Sequence, residues 1–254
     1  CCKNQNYTKA PQKQVRYSLF SLLVNLHTII LAAGKGTRMH TNLPKVMQPL
    51  AGRPMIDHVI TTAGKLTNKI SIIIGYKKDV LNEYLSANFK NVETFIQPEL
   101  NGTAGAVKAA QKNIMDDEDV LILYGDVPLI SHETLKNALS DNHDAVILTM
   151  IPKDPFGYGR VLKNDSGLAT EIIEEKDANA EQKKINEVFT GIMIIKGEML
   201  LSSLEEVKNN NAAGEYYLTD VIKIASKKGV KINPILVEET EVLGANTKSE
   251  LHEI

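Results

Sequence analysis

Short runs of Ile, Val and Leu recur at Thr28–Ala33, Ile70–Gly75, Val120–Tyr124 and Ala145–Met150. Longer segments with helical spacing lie between them, at Pro54–Leu66, Gly102–Ile114 and His132–Ser140. A near-continuous apolar run suits a strand buried on both faces, and such runs alternating with amphipathic helices imply βαβ units. The expected fold is therefore α/β, a mostly parallel sheet with helices on both faces. Pro54 suits a first helical position and Ser131 an N-cap. In the second half, Asn164-Asp165-Ser166-Gly167 predicts a hairpin turn between Arg160–Leu162 and Ala169–Ile173, a small antiparallel elaboration. A strand at Val188–Ile195, helices near Glu198–Lys208 and Leu218–Lys228, and a strand at Ile232–Val237 follow. No linker, low-complexity tract or repeat interrupts this pattern, so one domain is expected over 27–254, preceded by an extension at 1–26.

Composition excludes several function classes. The chain has 254 residues, a net charge of −2 and no basic stripe with interleaved aromatics, which argues against a nucleic-acid or anionic-membrane surface. A phosphate-bearing ligand must then be held locally. The only cysteines are Cys1 and Cys2, so the body is thiol-free and suits a reducing, cytoplasmic compartment. Lys13, Arg16, the apolar run Leu19–Leu26 and Ala32–Ala33 imitate a signal peptide, but Asn25 and His27 interrupt the run. No other stretch approaches the ~18–20 apolar residues of a membrane span.

The strongest local signal is LAAGKGTRM, Leu31–Met39, an apolar strand running into Gly34 and Gly36. Glycines let the backbone turn sharply, so that several N–H groups can converge on phosphate oxygens. Arg38 adds a planar, permanently charged donor fork. A Walker loop would need Lys-Ser/Thr after the second glycine, where this chain has Thr37-Arg38. A dinucleotide loop would need a third glycine, where it has Met39. Lys45, after Pro44, brings a second cation towards the same strand end. The ordinary alternative is a glycine-rich surface turn with solvated cations.

Three further positions carry candidate chemistry. Gln97 follows a strand at Val92–Ile96, and its paired donor and acceptor can match a base edge, although loop amides often bond only backbone. Gly102 and Thr103 open the next helix. Asp126 follows Val120–Tyr124 at the carboxyl end, where open α/β sheets bind ligands, and a hard carboxylate there suits Mg²⁺. The alternative is an Asp capping a turn before Pro128. Glu174 stands in an acidic cluster with Glu171 and Glu175, which on its own reads equally as a solvated charge run.

LAAGKGTRM followed by LPKVMQPLAG resembles the N-terminal uridyltransferase half of the bacterial bifunctional N-acetylglucosamine-1-phosphate uridyltransferase/glucosamine-1-phosphate acetyltransferases. The similarity runs from about Ile29 to Leu251, through QPELNGTAGAV, YGDVPL, GYGRV, IIEEKDA, GEYYLTDVI and LGAN in order. It implies a Rossmann-like nucleotidyltransferase fold, UTP and N-acetylglucosamine 1-phosphate as substrates, and UDP-N-acetylglucosamine as product. It also implies uracil contacts from Gln97, Gly102 and Thr103, with backbone contacts from Leu31, Ala32, Ala33 and Gly34. Asp126 and Asn246 would hold Mg²⁺, Gly159 and Glu174 the sugar, and Tyr124 and Gly125 would complete the wall beside Asp126. Arg38 and Lys45 would neutralise phosphate charge in a direct displacement that needs no general base.

The chain departs from the family pattern at Phe189, where Asn would precede Thr190-Gly191, and at Leu100 and Asn101. Losing one buried hydrogen bond to the sugar nucleotide would cost about 1–3 kcal/mol. A transferase for another sugar 1-phosphate, or a non-catalytic sugar-nucleotide-binding module, are the alternative readings. The hexapeptide repeats of the family's acetyltransferase half do not occur in these 254 residues, so that activity and its trimer are not expected, and a monomer is.

Overall fold

A computed structural model describes residues 25–254 apart from His40, Asn246 and Ile254. Residues 1–24 of the predicted extension at 1–26, including both cysteines and the start of the apolar run, lie outside these residues, as does the predicted metal ligand Asn246, while Leu26 at the extension's end belongs to the first strand. The first half contains β1 (Leu26–Ala32), the small ribbon β2 (Pro49–Leu50) and β3 (Arg53–Pro54), and α1 (Met55–Ala63). Strand β4 (Lys69–Ile74), α2 (Lys78–Asn88), β5 (Val92–Ile96), α3 (Thr103–Ala109) and β6 (Asp119–Tyr124) complete it. After α4 (His132–Leu139) come β7 (Ala145–Met150), β8 (Arg160–Lys163), β9 (Ala169–Ile173) and β10 (Val188–Lys196). The chain closes with α5 (Gly197–Leu204), α6 (Asp220–Lys227), β11 (Ile232–Leu236), α7 (Glu239–Val242) and α8 (Lys248–Glu253).

Strand β1 is the axis. All seven of its residues are buried, and alternate side chains enter two separate cores. Ile30 and Ala32 join the apolar faces of α1, α2 and α4. Ile29 and Leu31 join those of α3, α5 and α6. Helices therefore cover both faces, which is why β1 reads as an uninterrupted apolar run rather than an alternating one. The sheet order is β11-β7-β10-β6-β1-β4-β5, with the β8–β9 hairpin branching from β10. Strand β1 pairs in parallel with β4 on one side and β6 on the other. The chain thus fills one side first and then crosses over, making the carboxyl ends of β1 and β6 a topological switch point, where such sheets bind ligands.

Several local expectations hold for stated reasons. Ser131 caps α4, its hydroxyl accepting from the Thr134 N–H at 3.1 Å. The Asn164–Gly167 turn closes through Gly167 N–H to Asn164 O at 2.9 Å. Others shift. Pro54 is the cap residue of α1, with extended ψ, rather than its first helical residue. The predicted helix from Gly102 to Ile114 stops at Ala109 and tightens into a 3₁₀ turn at Gln111–Asn113. Strand β10 runs antiparallel to both β6 and β7, the one reversal within the otherwise parallel path. Among the described residues no helix is long and apolar enough to cross a membrane.

Candidate active site

The loop after β1 emerges between the carboxyl ends of its two neighbours. Gly125 N–H, just past β6, donates to Leu31 O at 3.0 Å, and Tyr76 N–H, just past β4, donates to Ala33 O at 2.9 Å. Gly36 then takes a positive φ of 56°, the left-handed region that favours glycine. A Cβ there would stand 2.5 Å from Lys45 Cβ, so the loop rests directly on the lysine stem. Thr37–Met39 forms a 3₁₀ turn. Its Met39 side chain is fully buried against Met55 and Ala245, anchoring the loop while Arg38 stays exposed.

A cavity of about 370 Å³ opens above this loop. Leu31, Ala32, Ala33, Gly34 and Arg38 form its floor and one lip, and Lys45, Tyr124 and Asp126 line the side under β6. Gln97, Gly102 and Thr103 line it as well. Two cationic side chains, the Asp126 and Glu215 carboxylates, the Gln97 amide and the start of α3 thus share one lining. Lys45 and Asp126 form an ion pair in which both side chains are mostly buried.

Gly102 is held by a distant segment. Its φ is 116°, and a Cβ would lie 2.4 Å from Tyr216 O, so no other residue fits without moving that backbone. Tyr216 exchanges main-chain bonds with Asn101 and Ala104 (2.8 and 2.9 Å), and Leu218 N–H donates to the Thr103 hydroxyl at 2.9 Å. The amide nitrogen of Gln97 donates to Gly102 O at 3.0 Å. That is the commonplace loop role considered above, and here it holds a turn that lines the cavity.

Gly159 and Glu174 stand outside the cavity lining but beside each other: a Cβ on Gly159 would be 3.7 Å from Glu174 Oε2. Tyr124, which lines the cavity, lies within the electrostatic reach of Glu174. A Cβ on Gly191 would be 2.7 Å from the Tyr124 ring. Burial pushes the Tyr124 phenol well above its ordinary range, Glu174 and Asp126 add to the shift, and a hydrogen bond from Thr103 opposes it. Burial likewise raises Glu174; the Thr219 hydroxyl, donating at 2.9 Å, opposes this, while Asp177, Asp220 and Glu215 reinforce it. Glu175 has the opposite fate. Burial would raise it, but hydrogen bonds from Lys183 and Arg160 hold it below the ordinary range.

Gly125 lies behind the wall, its Cβ position 3.0 Å from Val46. Phe189 is 6% exposed and packs in the core, offering only its N–H, which donates to Gly159 O at 2.9 Å. Near Asn246, Ala245 N–H donates to Asp126 O at 3.2 Å, so the segment 243–245 returns to the metal candidate. Among the described residues no three His, Cys, Asp or Glu side chains cluster as a metal cage. Sequence reasoning did not single out Val46, Ala106 or Glu215, which also line the cavity, and it marked Leu100, another lining residue, only as a departure from the family pattern. Glu215 arrives there only because Tyr216 pairs with the start of α3, a contact between segments over a hundred residues apart.

Residues 28–203 match the MobA-like NTP transferase domain. The chain belongs to that family. Among curated relatives of this NTP transferase is the bifunctional protein GlmU of Hydrogenovibrio crunogenus, 44% identical over 236 residues, covering 91% of this chain and 52% of the relative. GlmU of Thermotoga maritima is 43% identical over 230 residues, covering 89% and 50%. The chain spans about half the length of the curated relatives it matches. A solved structure from Bacillus anthracis, named for glucose-1-phosphate thymidylyl transfer and holding sucrose, superposes with a TM-score of 0.69. It is 22% identical and covers 90% of this chain and 93% of that one, a likeness of fold.

Proposed function

We propose that this chain transfers a uridylyl group from UTP to N-acetylglucosamine 1-phosphate, giving UDP-N-acetylglucosamine, a precursor of bacterial cell-wall polymers, and pyrophosphate. The reading rests on one observation above all. One cavity at the switch point is lined by the glycine loop with Arg38, Lys45 and Asp126 and also by Gln97, Gly102 and Thr103, and its lining residue Tyr124 lies within the electrostatic reach of Glu174, which stands beside Gly159. The substrates are those implied by the resemblance of LAAGKGTRM and LPKVMQPLAG to the uridyltransferases, and the relatives named bifunctional protein GlmU support that resemblance. Residues 27–254 would form the catalytic unit, acting in the cytoplasm.

In this reading the sugar phosphate's own oxygen attacks the α-phosphorus, and the bond to the pyrophosphate oxygen breaks. The nucleophile is already an anion, so positioning and charge neutralisation are the whole task. Backbone N–H groups of Ala33–Gly36 hold phosphate oxygens at the strand end. Arg38 neutralises the departing pyrophosphate and Lys45 the phosphates nearer the reacting centre. Gln97 and the Gly102 turn orient the uracil, and Glu174 accepts hydrogen bonds from sugar hydroxyls. Asp126 is a hard oxygen donor with no cluster of three His, Cys, Asp or Glu around it among the described residues, which fits a Mg²⁺ that takes most of its shell from phosphates and water. When bound there, the ion supplies further neutralisation of the α-phosphate oxygens. Asn246 is the proposed second protein ligand.

Pyrophosphate release from UTP, N-acetylglucosamine 1-phosphate and Mg²⁺ tests the reading. Release by the wild type that vanishes in a folded Asp126→Ala variant supports it; a wild type that releases none overturns it. Phe189 favours a second reading, transfer to a different sugar 1-phosphate, since its side chain is committed to the core and offers no polar group. A panel of sugar 1-phosphates with UTP separates the two.

A further inference from the structure

Lys45 and Asp126 contact each other directly, with side chains only 12% and 18% exposed. Each is a cavity-lining residue. An ammonium seated on a carboxylate occupies one of the places a metal ion would take. The lysine is also set there by the phosphate loop. Gly36, having no side chain, lies on the Lys45 stem, and a Cβ on that glycine would be 2.5 Å from Lys45 Cβ and 3.2–3.3 Å from Cγ and Cδ. The loop therefore rests on the stem near its base, and the ammonium at its outer end is what meets Asp126.

We infer that Lys45 is a tethered counter-ion that keeps a free divalent cation off Asp126, so that the metal enters only together with a triphosphate. This rests on the proposed function for the identity of the nucleotide. Three physical terms favour the lysine as long as no nucleotide is bound. It is covalently held, so it forfeits no translational freedom on pairing, whereas a dilute cation does. The pair is largely withdrawn from water, where its attraction is less screened. Mg²⁺ sheds water reluctantly, and a lone carboxylate repays that poorly. A triphosphate in the loop reverses the balance. It offers the ammonium several anionic oxygens beside Gly34 and Gly36, and it carries most of the metal's coordination shell with it. Asp126 is then released to the cation as Lys45 turns to the phosphates.

The test is Mn²⁺ binding to the nucleotide-free chain, read by electron paramagnetic resonance of the free ion. Lys45→Met, which keeps most of the stem and removes the charge, is expected to bind Mn²⁺ about ten-fold more tightly than the wild type. The gain should disappear in Lys45→Met/Asp126→Asn. Lys45→Gln serves as a second variant if the methionine protein does not fold. A folded variant that takes Mn²⁺ no more tightly than the wild type overturns the inference, as does a gain that survives Asp126→Asn. Calorimetric titration of the wild type with UTP separates the two claims. No UTP binding would sink the proposed function, while the nucleotide-free Mn²⁺ titrations would still decide the lysine.

Discussion

The two ends of β1 hold polar groups under opposite rules. At its start, His27 is fully buried, with Nδ1 2.9 Å from Glu118 Oε1 and Nε2 2.7 Å from the Ser71 hydroxyl. Lys69 donates to both Glu118 oxygens and to Asn113 O, and Met115 N–H donates to Glu118 Oε1 at 2.9 Å. Nearly every donor there has its acceptor, and the charges of Lys69 and Glu118 cancel. At the far end of the strand, five residues on, Arg38 is exposed, Glu174 is desolvated among other acids, and Asp126 is held by Lys45 alone of the described ion-pair partners. A network that is closed on itself stabilises a fold and has nothing left to offer a ligand. Unbalanced charge over a cavity is what a ligand completes.

That contrast can be broken most decisively from the upper end. Arg38→Ala should lower the rate of pyrophosphate release by about 10³-fold, ~4 kcal/mol in the barrier. Its urea midpoint should match the wild type, because the side chain is exposed. Loss of stability with normal turnover would invert the assignment of the two ends. At the lower end the pattern should reverse. Glu118→Ala leaves His27 and Lys69 without their acceptor and should cost about 3 kcal/mol in urea unfolding, with kcat per folded molecule unchanged.

Smaller effects sharpen the comparison. Glu174→Gln should raise the KM for the sugar phosphate about ten-fold, ~1.4 kcal/mol, and leave that for UTP alone. The same variant should unfold at higher urea at pH 7. Burial raises the Glu174 pKa above 4.5 in the folded chain, so the folded state binds the proton more tightly, and stability falls as pH rises through that window. The removal of the carboxylate relieves this. A variant less stable than the wild type would show that Glu174 belongs with the closed networks instead. His27 gives the smallest signal and the opposite sign. Burial lowers its pKa below 6.5 against the pull of Glu118, so the unfolded chain takes the proton first. The stability it contributes is present above pH 6.5 and lost as pH falls below it. The urea midpoint should drop from pH 7 to pH 5.5, and less steeply in His27→Gln.

Both ends could be approached from the sequence, but unequally. Leu31–Met39 and the strand before Asp126 were legible because glycine turns and apolar strand runs are local properties, fixed by sterics and period. The buried His27 network was not, since a histidine within an apolar run carries no mark of whether Glu118 and Ser71 will meet it. The helix at Lys78–Asn88 went unread for a related reason: it buries only Leu81 and Leu85, too narrow a face to stand out. Residue identities alone therefore determined the α/β alternation, the glycine turn within Leu31–Met39, the Asn164–Gly167 hairpin and the chemical types that line the cavity. Tertiary structure decided the reversal of β10, the placement of Glu215 and Tyr216 over the start of α3, the ion pair of Lys45 with Asp126, and the opposite pKa shifts of the neighbours Glu174 and Glu175. The physical reason is common to all four. Strand pairing, burial and charge proximity are set by which distant segments pack together, and that is a property of the whole chain at once.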